Sequence, residues 1–333
     1  MVLFAILVIA SSLAYLKDTK EPVDRINGVC FVAPPRPIQP ISLKPITTVN
    51  ADWIAITPYG FSRRNSPKVV FNHPNQWWGE RVDGTIKTIS YAQSMGLKIM
   101  LKPHIWVMGD GWAGEFELSD EAQWQIWESS YSDYILRFAS IADSMNIDML
   151  CIGTEYKKVV QKRPEFWSKL IKNVKKRYTG KLTYAANWDN FETVTFWDEL
   201  DFIGIDAYFP LCDSITPNVD ILKQNWEKTA NSLRRYSERN NKQILFTEYG
   251  YRSMNRCAGG HWELDQQDLQ PNMVAQMNAL EALYETFWDK DWMAGGFIWK
   301  WYANHDFAGG QNDSHYTPQN KPAQAIIKKW YGK

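Results

Sequence analysis

Eight short runs of apolar, β-forming residues alternate with longer segments of helical periodicity along most of this chain. Such alternation is typical of βα units, whose strands form a parallel sheet with the helices packed outside it. Eight strands close a barrel, so we predict an α/β fold of the (β/α)8 TIM-barrel type. The runs are residues 26–33, 53–59, 97–104, 147–155, 182–188, 202–208, 243–249 and 296–301.

The segment from Asp120 to Met145 shows the helical pattern most clearly, because aromatic and aliphatic residues recur there at steps of three and four. Asp120, with Gln123 three positions later, fits an N-cap. We predict an amphipathic helix that packs outside the barrel.

Domain organisation follows from where the interruptions fall. A chain of 333 residues fits two domains, or one barrel of about 250 residues with loop insertions. Pro-rich residues 34–45 could link two domains, but they lie between the first two runs, where a barrel can carry a loop. We predict a single barrel domain over residues 25–333.

Residues 2–14 form a largely apolar run that ends in small residues and is short for a membrane span. It predicts an export signal within a leader of residues 1–24. An uncleaved N-terminal anchor is the alternative, because no Lys or Arg precedes the run. We expect an exported protein, whether secreted, periplasmic or held at the cell surface by a membrane tether.

Charge and cysteine content exclude several classes of partner. Lys plus Arg and Asp plus Glu each total 37, so no broad basic field is available to attract nucleic acid. The four cysteines lack metal-ligand spacing, and residues 305–315 fit turn chemistry better than a cation site. We expect no nucleic-acid partner, no metal, no cofactor and a monomer.

Active sites of such barrels form at the C-terminal ends of the strands, where seven of the eight runs end in polar or aromatic residues. Glu155 shares its side-chain register with Cys151 and Gly153, and Glu248 shares its register with Phe246, which predicts that both glutamates face inward. The alternative is that the two glutamates are solvated charges on the rim of the barrel. The other candidates at these ends are Tyr59, Lys102, His104, Asn187, Asp206, Tyr208, Trp299 and Trp301.

Glu155 and Glu248 end the fourth and seventh runs, about three βα units of roughly 30 residues apart, and would face one cleft. Two carboxylates about 5 Å apart suit a double displacement, in which one attacks the anomeric carbon and the other protonates the leaving oxygen. That reaction retains the anomeric configuration. It requires one glutamate to hold its proton while the other stays ionised.

The motifs IGTE at 152–155 and FTEYG at 246–250 resemble the clan of retaining glycosidases with the acid/base on strand 4 and the nucleophile on strand 7. With LKPHIWV at 101–107, GIDAYFP at 204–210 and FIWKW at 297–301, the chain resembles the glycoside hydrolase family 113 β-mannanases over nearly the whole barrel. The resemblance implies a retaining hydrolase that cleaves β-1,4-mannosidic linkages in mannan or manno-oligosaccharides.

By this resemblance Glu155 is the acid/base and Glu248 the nucleophile. Tyr208 would orient Glu248 through a hydrogen bond, and Trp299 would floor the sugar site beside the scissile bond. The alternatives for the further candidates are structural: a buried imidazole, a carboxylate in a polar network, or a tryptophan that packs a loop. These further substrate contacts are Lys102, His104, Trp106, Asn187, Asp206 and Trp301.

One position departs from the clan. Many members carry Asn directly before the acid/base, where it donates to the sugar 2-hydroxyl, whereas this chain has Thr154. Asn187 could supply a substitute amide, or could equally bond backbone at the top of the barrel. Trp112 and Trp262 lie on loops where stacking on distant sugars competes with simple loop packing.

Two other functions stay open at this point. A retaining β-glycosidase of the same clan could act on glucan or xylan, and a barrel that had lost catalysis would only bind glycans. The intact carboxylate pair argues against the second. In every case the expected partner is a β-linked oligosaccharide or polysaccharide.

Overall fold

The computed structural model describes residues 25–64, 66–109, 112–260 and 270–333. The strands in those residues are β1 (Ile26–Phe31), β2 (Trp53–Ile56), β3 (Tyr59–Arg63), β4 (Ser66–Phe71), β5 (Lys98–Leu101), β6 (His104–Met108), β7 (Met149–Thr154), β8 (Lys181–Asn187), β9 (Ile203–Asp206), β10 (Ile244–Tyr249) and β11 (Met293–Trp301). The α-helices are α1 (Lys44–Thr48), α2 (Val82–Ser94), α3 (Glu121–Ser144), α4 (Lys157–Lys162), α5 (Pro164–Lys175), α6 (Val219–Asn240), α7 (Met273–Phe287) and α8 (Ala323–Tyr331).

Eight strands close a parallel barrel in the order β1, β2, β5, β7, β8, β9, β10 and β11, which then pairs with β1. Every strand of this barrel coincides with one of the eight runs, so the predicted (β/α)8 fold is confirmed. The predicted helix is also confirmed as α3, which begins after Asp120, whose side chain accepts from the Gln123 N–H at 2.9 Å.

A second sheet extends the mouth of the barrel, and the sequence runs did not reveal it. Strand β3 lies between β4, which is antiparallel to it, and β6, which is parallel to it. Pro58 and Pro103 separate this sheet from the barrel strands β2 and β5, because proline has no N–H for the hydrogen-bond ladder. The predicted third run, 97–104, is therefore divided between β5 and β6.

The apolar core has two layers. The large outer layer fills the space between the barrel and its helices, and includes the fully buried Trp127 and Trp167. A smaller cluster fills the barrel interior, where Trp53 meets the ring of Phe297 edge to face with centroids 6.2 Å apart. This inner plug closes the barrel below the strand ends, so polar side chains there stand on a rigid apolar floor.

Both glutamates leave the simple strand alternation that the sequence suggested. Phe246 packs in the outer core, and the pairing of β10 shifts register after Phe246, so a bulge turns Glu248 inward. Cys151 lies in the inner plug, whereas a Cβ on Gly153 would meet the outer core. The registers that we predicted for the two glutamates are therefore wrong, although both side chains do reach the barrel mouth.

The predicted export segment, residues 2–14, lies outside the described residues. Within the described part of the chain, no helix is long and apolar enough to cross a membrane. Export and membrane tethering therefore stay predictions, as does the domain boundary at residue 25.

Candidate active site

Glu248 is the centre of a hydrogen-bonded cluster at the mouth of the barrel, where its residue is 6% exposed. Its Oε1 accepts from Lys102 Nζ at 2.5 Å and lies 3.6 Å from His104 Nε2. Its Oε2 accepts from the Tyr208 hydroxyl at 2.9 Å. An ammonium and a phenol thus fix both oxygens and favour the ionised carboxylate, which is the form a nucleophile needs.

Lys102 lies beneath Glu248 and also contacts Asp206, with Nζ 3.1 Å from Asp206 Oδ1. The same Oδ1 accepts from the Thr247 hydroxyl at 2.7 Å. Burial alone would lower the pKa of Lys102, but the two carboxylates hold that pKa well above its usual value. Burial and the neighbouring Glu248 carboxylate raise the pKa of Asp206.

This burial corrects two assignments. We predicted that Lys102 and Asp206 contact substrate, yet neither side chain has any exposed surface. Lys102 is enclosed between two carboxylates, and Asp206 is occupied by Lys102 and Thr247. Both residues therefore act on the site through Glu248 rather than on a bound sugar.

Glu155 directly follows β7 in a left-handed backbone conformation, with φ of 54°. Its N–H donates to the carbonyl of Ala185 at 2.8 Å, which ties the turn to β8. Its Oε2 accepts from Trp112 Nε1 at 2.7 Å. Few residues other than glycine adopt positive φ, and such strain persists where surrounding structure enforces it, often at functional sites.

The two glutamates have different electrostatic surroundings. Burial and the negative charge of Glu248 raise the pKa of Glu155 from 4.5 to about 7, against the opposing effect of the Trp112 hydrogen bond. Glu155 therefore holds its proton near neutral pH beside a carboxylate that is paired with an ammonium. Two acids whose environments separate their protonation states are what an acid/base and a nucleophile require.

Aromatic rings line one side of this pair. His104 lies parallel to Trp299, with an interplanar angle of 3° and centroids 6.2 Å apart, and it packs 5.2 Å from the ring of Tyr59. Burial and the Lys102 charge keep the pKa of His104 well below 6.5, so its imidazole is neutral. His104 therefore combines features of both interpretations. Its ring is mostly buried, as a structural imidazole would be, but it lies 3.6 Å from Glu248, where a substrate contact would be.

Among the described residues, neither Asn187 nor Thr154 hydrogen-bonds to Glu155. Asn187 Nδ2 donates to Asp189 at 3.0 Å, and Asp189 also pairs with Lys157 at 2.8 Å. The hydroxyl of Thr154 is buried and has no hydrogen-bond partner among the described residues. Asn187 as a contact for the sugar 2-hydroxyl therefore stays a prediction.

The tryptophan candidates separate clearly. Trp299 is partly exposed, whereas Trp301 is completely buried in the outer core and stacks near His305, which excludes the substrate contact we predicted for it. Alternate residues of a regular strand share a face, so Trp299 and Trp301 would do so too. A register shift between Cys30 and Phe31 breaks this pattern, and Trp301 pairs with the outward-packing Phe31. Trp106 is 60% exposed. Trp262 lies outside the described residues.

An open cleft of about 950 Å³ lies beside the site along the second sheet, and Tyr59 in its lining packs against His104. Tyr59 and Trp106 line it on one side, and Lys300 and Tyr302, at and just beyond the end of β11, line it on the other. The site is therefore a groove that extends beyond the carboxylate pair, as an elongated ligand requires.

Sequence reasoning missed two parts of this arrangement. The sequence suggests sugar stacking or loop packing for Trp112, and no spacing rule connects it to Glu155 across the intervening helix α3. The hairpin of β3 and β4 did leave a signal, because the β-branched Val69 and Val70 follow turn-forming residues within RRNSP at 63–67.

Among the described residues, no group of three or more His, Cys, Asp or Glu side chains is placed to hold a metal ion. In the loop after β11, Asp313 Oδ1 accepts from Lys321 Nζ at 2.6 Å and from the His315 N–H at 2.8 Å. Asp313, one of the two acids of that loop, is thus engaged in holding the loop together.

Both the sequence and the fold of this chain are similar to those of known glycoside hydrolases. The model of glycoside hydrolase family 113 matches residues 39–321. A GH113 β-1,4-mannanase solved as a complex superposes with a TM-score of 0.81 at 23% identity, over 93% of this chain and 99% of that chain. A GH113 β-mannanase from Alicyclobacillus acidocaldarius, in complex with ManMIm, superposes with a TM-score of 0.80 at 22% identity, over 93% and 98%.

More distant structures share only the fold. A β-glucuronidase from Faecalibacterium prausnitzii superposes with a TM-score of 0.61 at 12% identity, over 92% of this chain but 49% of the other. No sequence among the curated proteins compared matches significantly.

Proposed function

The chain belongs to glycoside hydrolase family 113 and is a glycoside hydrolase, and from that premise we propose that it cleaves β-1,4-linked mannose chains with retention of configuration. The observation that carries the mechanism is the contrast between its two carboxylates. Glu248 is held by Lys102 and Tyr208, whereas Glu155 is desolvated and has a pKa of about 7. One can attack as an anion while the other delivers a proton.

In the first step Glu248 attacks the anomeric carbon and Glu155 transfers its proton to the departing glycosidic oxygen. The carbon–oxygen bond to the leaving sugar breaks, and a covalent ester to Glu248 forms. Tyr208 and Lys102 hold the attacking carboxylate in one orientation, so little rotational freedom is lost when the transition state forms.

In the second step the ionised Glu155 removes a proton from water, which attacks the anomeric carbon and displaces Glu248. The pKa of Glu155 suits both roles, because it lies close to neutral pH. Two inversions at one carbon give net retention.

The preference for β-1,4-mannan is supported by the family and by two of its structural relatives, which are themselves described as β-mannanases. The partly exposed face of Trp299, beside the neutral His104, offers a flat apolar surface on which a sugar ring can stack. The open cleft along the second sheet accommodates further sugar units.

The test is chemical rescue of Glu155→Ala and Glu248→Ala on an activated β-mannoside. Each variant loses most of its turnover, by about 10³-fold or more, and azide restores part of it. Because azide takes a different position in each variant, Glu155→Ala yields the β-mannosyl azide and Glu248→Ala the α-mannosyl azide. Glu227→Ala, on the exposed surface of α6, is the matched control and keeps full activity.

The product configurations decide the roles. Exchange of the two anomers between the variants would reverse the assignment of acid/base and nucleophile, and full activity in either variant would remove that glutamate from the mechanism.

A panel of polysaccharides tests the sugar separately. Release of reducing ends from mannan, but not from glucan or xylan, supports the proposal, whereas the opposite pattern supports the other β-glycosidase reading. Binding without release by the unmodified chain would indicate a glycan-binding barrel.

We propose further that the chain acts outside the cytoplasm and as a monomer. Support for export comes from the apolar residues 2–14, and a monomer suffices because the residues of the site all come from one barrel. Fractionation of cells that express the full chain tests the first, and light scattering the second.

A further inference from the structure

One face of the second sheet is continuous with the active site and changes in character along its length. In β6 and β3, His104 pairs with Tyr59, Trp106 with Phe61, and Met108 with Arg63. Because alternate residues share a face, these pairs form successive rows that lead away from Glu248. The three rows cover about 13 Å at about 3.3 Å per residue, which is long enough to run beside more than one sugar ring.

The outer end of this face is positively charged. Arg63 and Lys68, from the hairpin of β3 and β4, line the cleft there and are exposed, and Lys300 lines its other wall. Neither Arg63 nor Lys68 forms an ion pair with any residue that the structure describes. The chain has no net charge overall, so this is a local excess of cations rather than the edge of a basic protein.

Among the described residues that line the cleft, the single carboxylate does not neutralise these cations. Glu80 Oε2 accepts from the backbone N–H of Trp77 at 3.1 Å, and burial raises the pKa of Glu80. The lining therefore contains three cationic side chains against one acid that already serves the backbone.

Exposed aromatic rings also line the cleft, and Trp106 lies one row closer to Glu248 than Arg63 does. Trp106 is 60% exposed and Trp77 is 50% exposed, and both line the cleft. Exposed apolar patches can mark ligand-binding grooves, and sugar rings present apolar faces on which indole rings can stack. A chain that stacks on these rings would bring its next substituent to Arg63 and Lys68.

We propose that the outer end of this cleft binds a carboxylate on the glycone part of the substrate, so that the enzyme favours β-linked chains carrying an acidic sugar unit away from the cleaved bond. The planar guanidinium of Arg63 matches a carboxylate in a two-point hydrogen bond, and Lys68 adds a second charge. The inference rests on the proposed function for its orientation. The leaving part departs beside Glu155, whereas the lining of the cleft includes Tyr59, whose ring packs 5.2 Å from His104 on the Glu248 side.

The experiment compares two substrates, a manno-oligosaccharide long enough to fill the cleft and the same oligosaccharide with its non-reducing terminal unit oxidised to a uronic acid at C6. The unmodified enzyme is expected to show a kcat/KM about fivefold higher for the acidic substrate, and this ratio falls as salt is added. Arg63→Met combined with Lys68→Met brings the ratio to about one.

The matched control is Arg64→Met, which removes the same charge from the neighbouring position of the hairpin outside the cleft lining and keeps the preference. An equal ratio in the unmodified enzyme and the double variant overturns the proposal while leaving mannan cleavage intact. If neither substrate is cleaved, the proposed function has failed. Calorimetric binding of the acidic oligosaccharide then tests the carboxylate site on its own. Binding lost in the double variant then supports the site, and unchanged binding overturns it.

Discussion

The indole Nε1–H of Trp112 donates to Oε2 of Glu155 at 2.7 Å, so a residue from the loop after β6 sets the environment of the candidate acid/base. Trp112 is 38% exposed, so its indole is not enclosed in the core. The hydrogen bond stabilises the ionised carboxylate and lowers a pKa that burial has raised.

Trp112→Phe should shift the pH dependence of kcat/KM toward alkaline pH. The glycosylation step needs protonated Glu155, so kcat/KM falls as pH rises through the pKa of about 7. Loss of the indole donor raises that pKa, so the fall of kcat/KM on the alkaline side of the pH profile moves to higher pH. Trp77→Phe, which removes an exposed indole from the cleft without touching Glu155, should leave the limb in place. An unmoved limb in Trp112→Phe would mean that the hydrogen bond does not form in solution.

A second prediction concerns stability rather than rate. The pKa of Glu155 is about 7 in the folded protein and near 4.5 when unfolded, so between these values the folded state alone holds the proton. The contribution of Glu155 is therefore most favourable at low pH and is lost as pH rises from about 4.5 to about 7. Glu155→Gln cannot ionise and so avoids this loss. Its free energy of unfolding should therefore rise by about 3 kcal/mol relative to that of the unmodified protein between pH 4.5 and pH 7. Denaturant unfolding at a series of pH values measures it, and parallel stability curves would contradict it.

The left-handed backbone at Glu155 predicts an unusual order of two variants. At φ of 54°, a Cβ costs about 1 to 2 kcal/mol, whereas glycine is free of that cost but loses more chain entropy on folding. Glu155→Gly should therefore be more stable than Glu155→Ala by about 1 kcal/mol. Glu248 has no positive φ, so the order should reverse for Glu248→Gly and Glu248→Ala. Thermal unfolding of the four proteins tests both orders.

The barrel could be predicted from sequence because its strands are buried on both faces and read as short apolar runs between periodic helices. The second sheet could not be counted in the same way, since Pro58 and Pro103 make its strands look like the ends of β2 and β5. Glu248 was placed at the right strand end for an incorrect reason, because a bulge after Phe246 cannot be seen in a pattern of period two.

Side-chain roles at the strand ends were harder to predict, because a strand end does not reveal depth. Lys102 and Trp299 each lie two residues before the end of a predicted run, yet Lys102 is enclosed beneath Glu248 and Trp299 is partly exposed. The contact between Trp112 and Glu155 depends on the path of a loop, which no local pattern encodes.

The buried triad of Lys102, Asp206 and Glu248 gives the last prediction. Lys102→Met leaves two carboxylates close together without their ammonium, and breaking a buried pair in this way costs about 3 to 5 kcal/mol. Asp206→Asn in the same chain removes one of the two charges, so the double variant should regain part of the lost stability. Turnover should fall in both, because ionised Glu248 has lost its counterion.

An exposed pair supplies the comparison. Lys157 and Asp189 are 2.8 Å apart, but each side chain is 31% exposed, so Lys157→Met and Asp189→Asn should change stability by less than about 1 kcal/mol and show little coupling. Chemical unfolding of both double-mutant cycles measures the two coupling energies. Equal coupling in the two cycles would mean that Lys102 is hydrated in solution and is not paired with Asp206 as the structure places it.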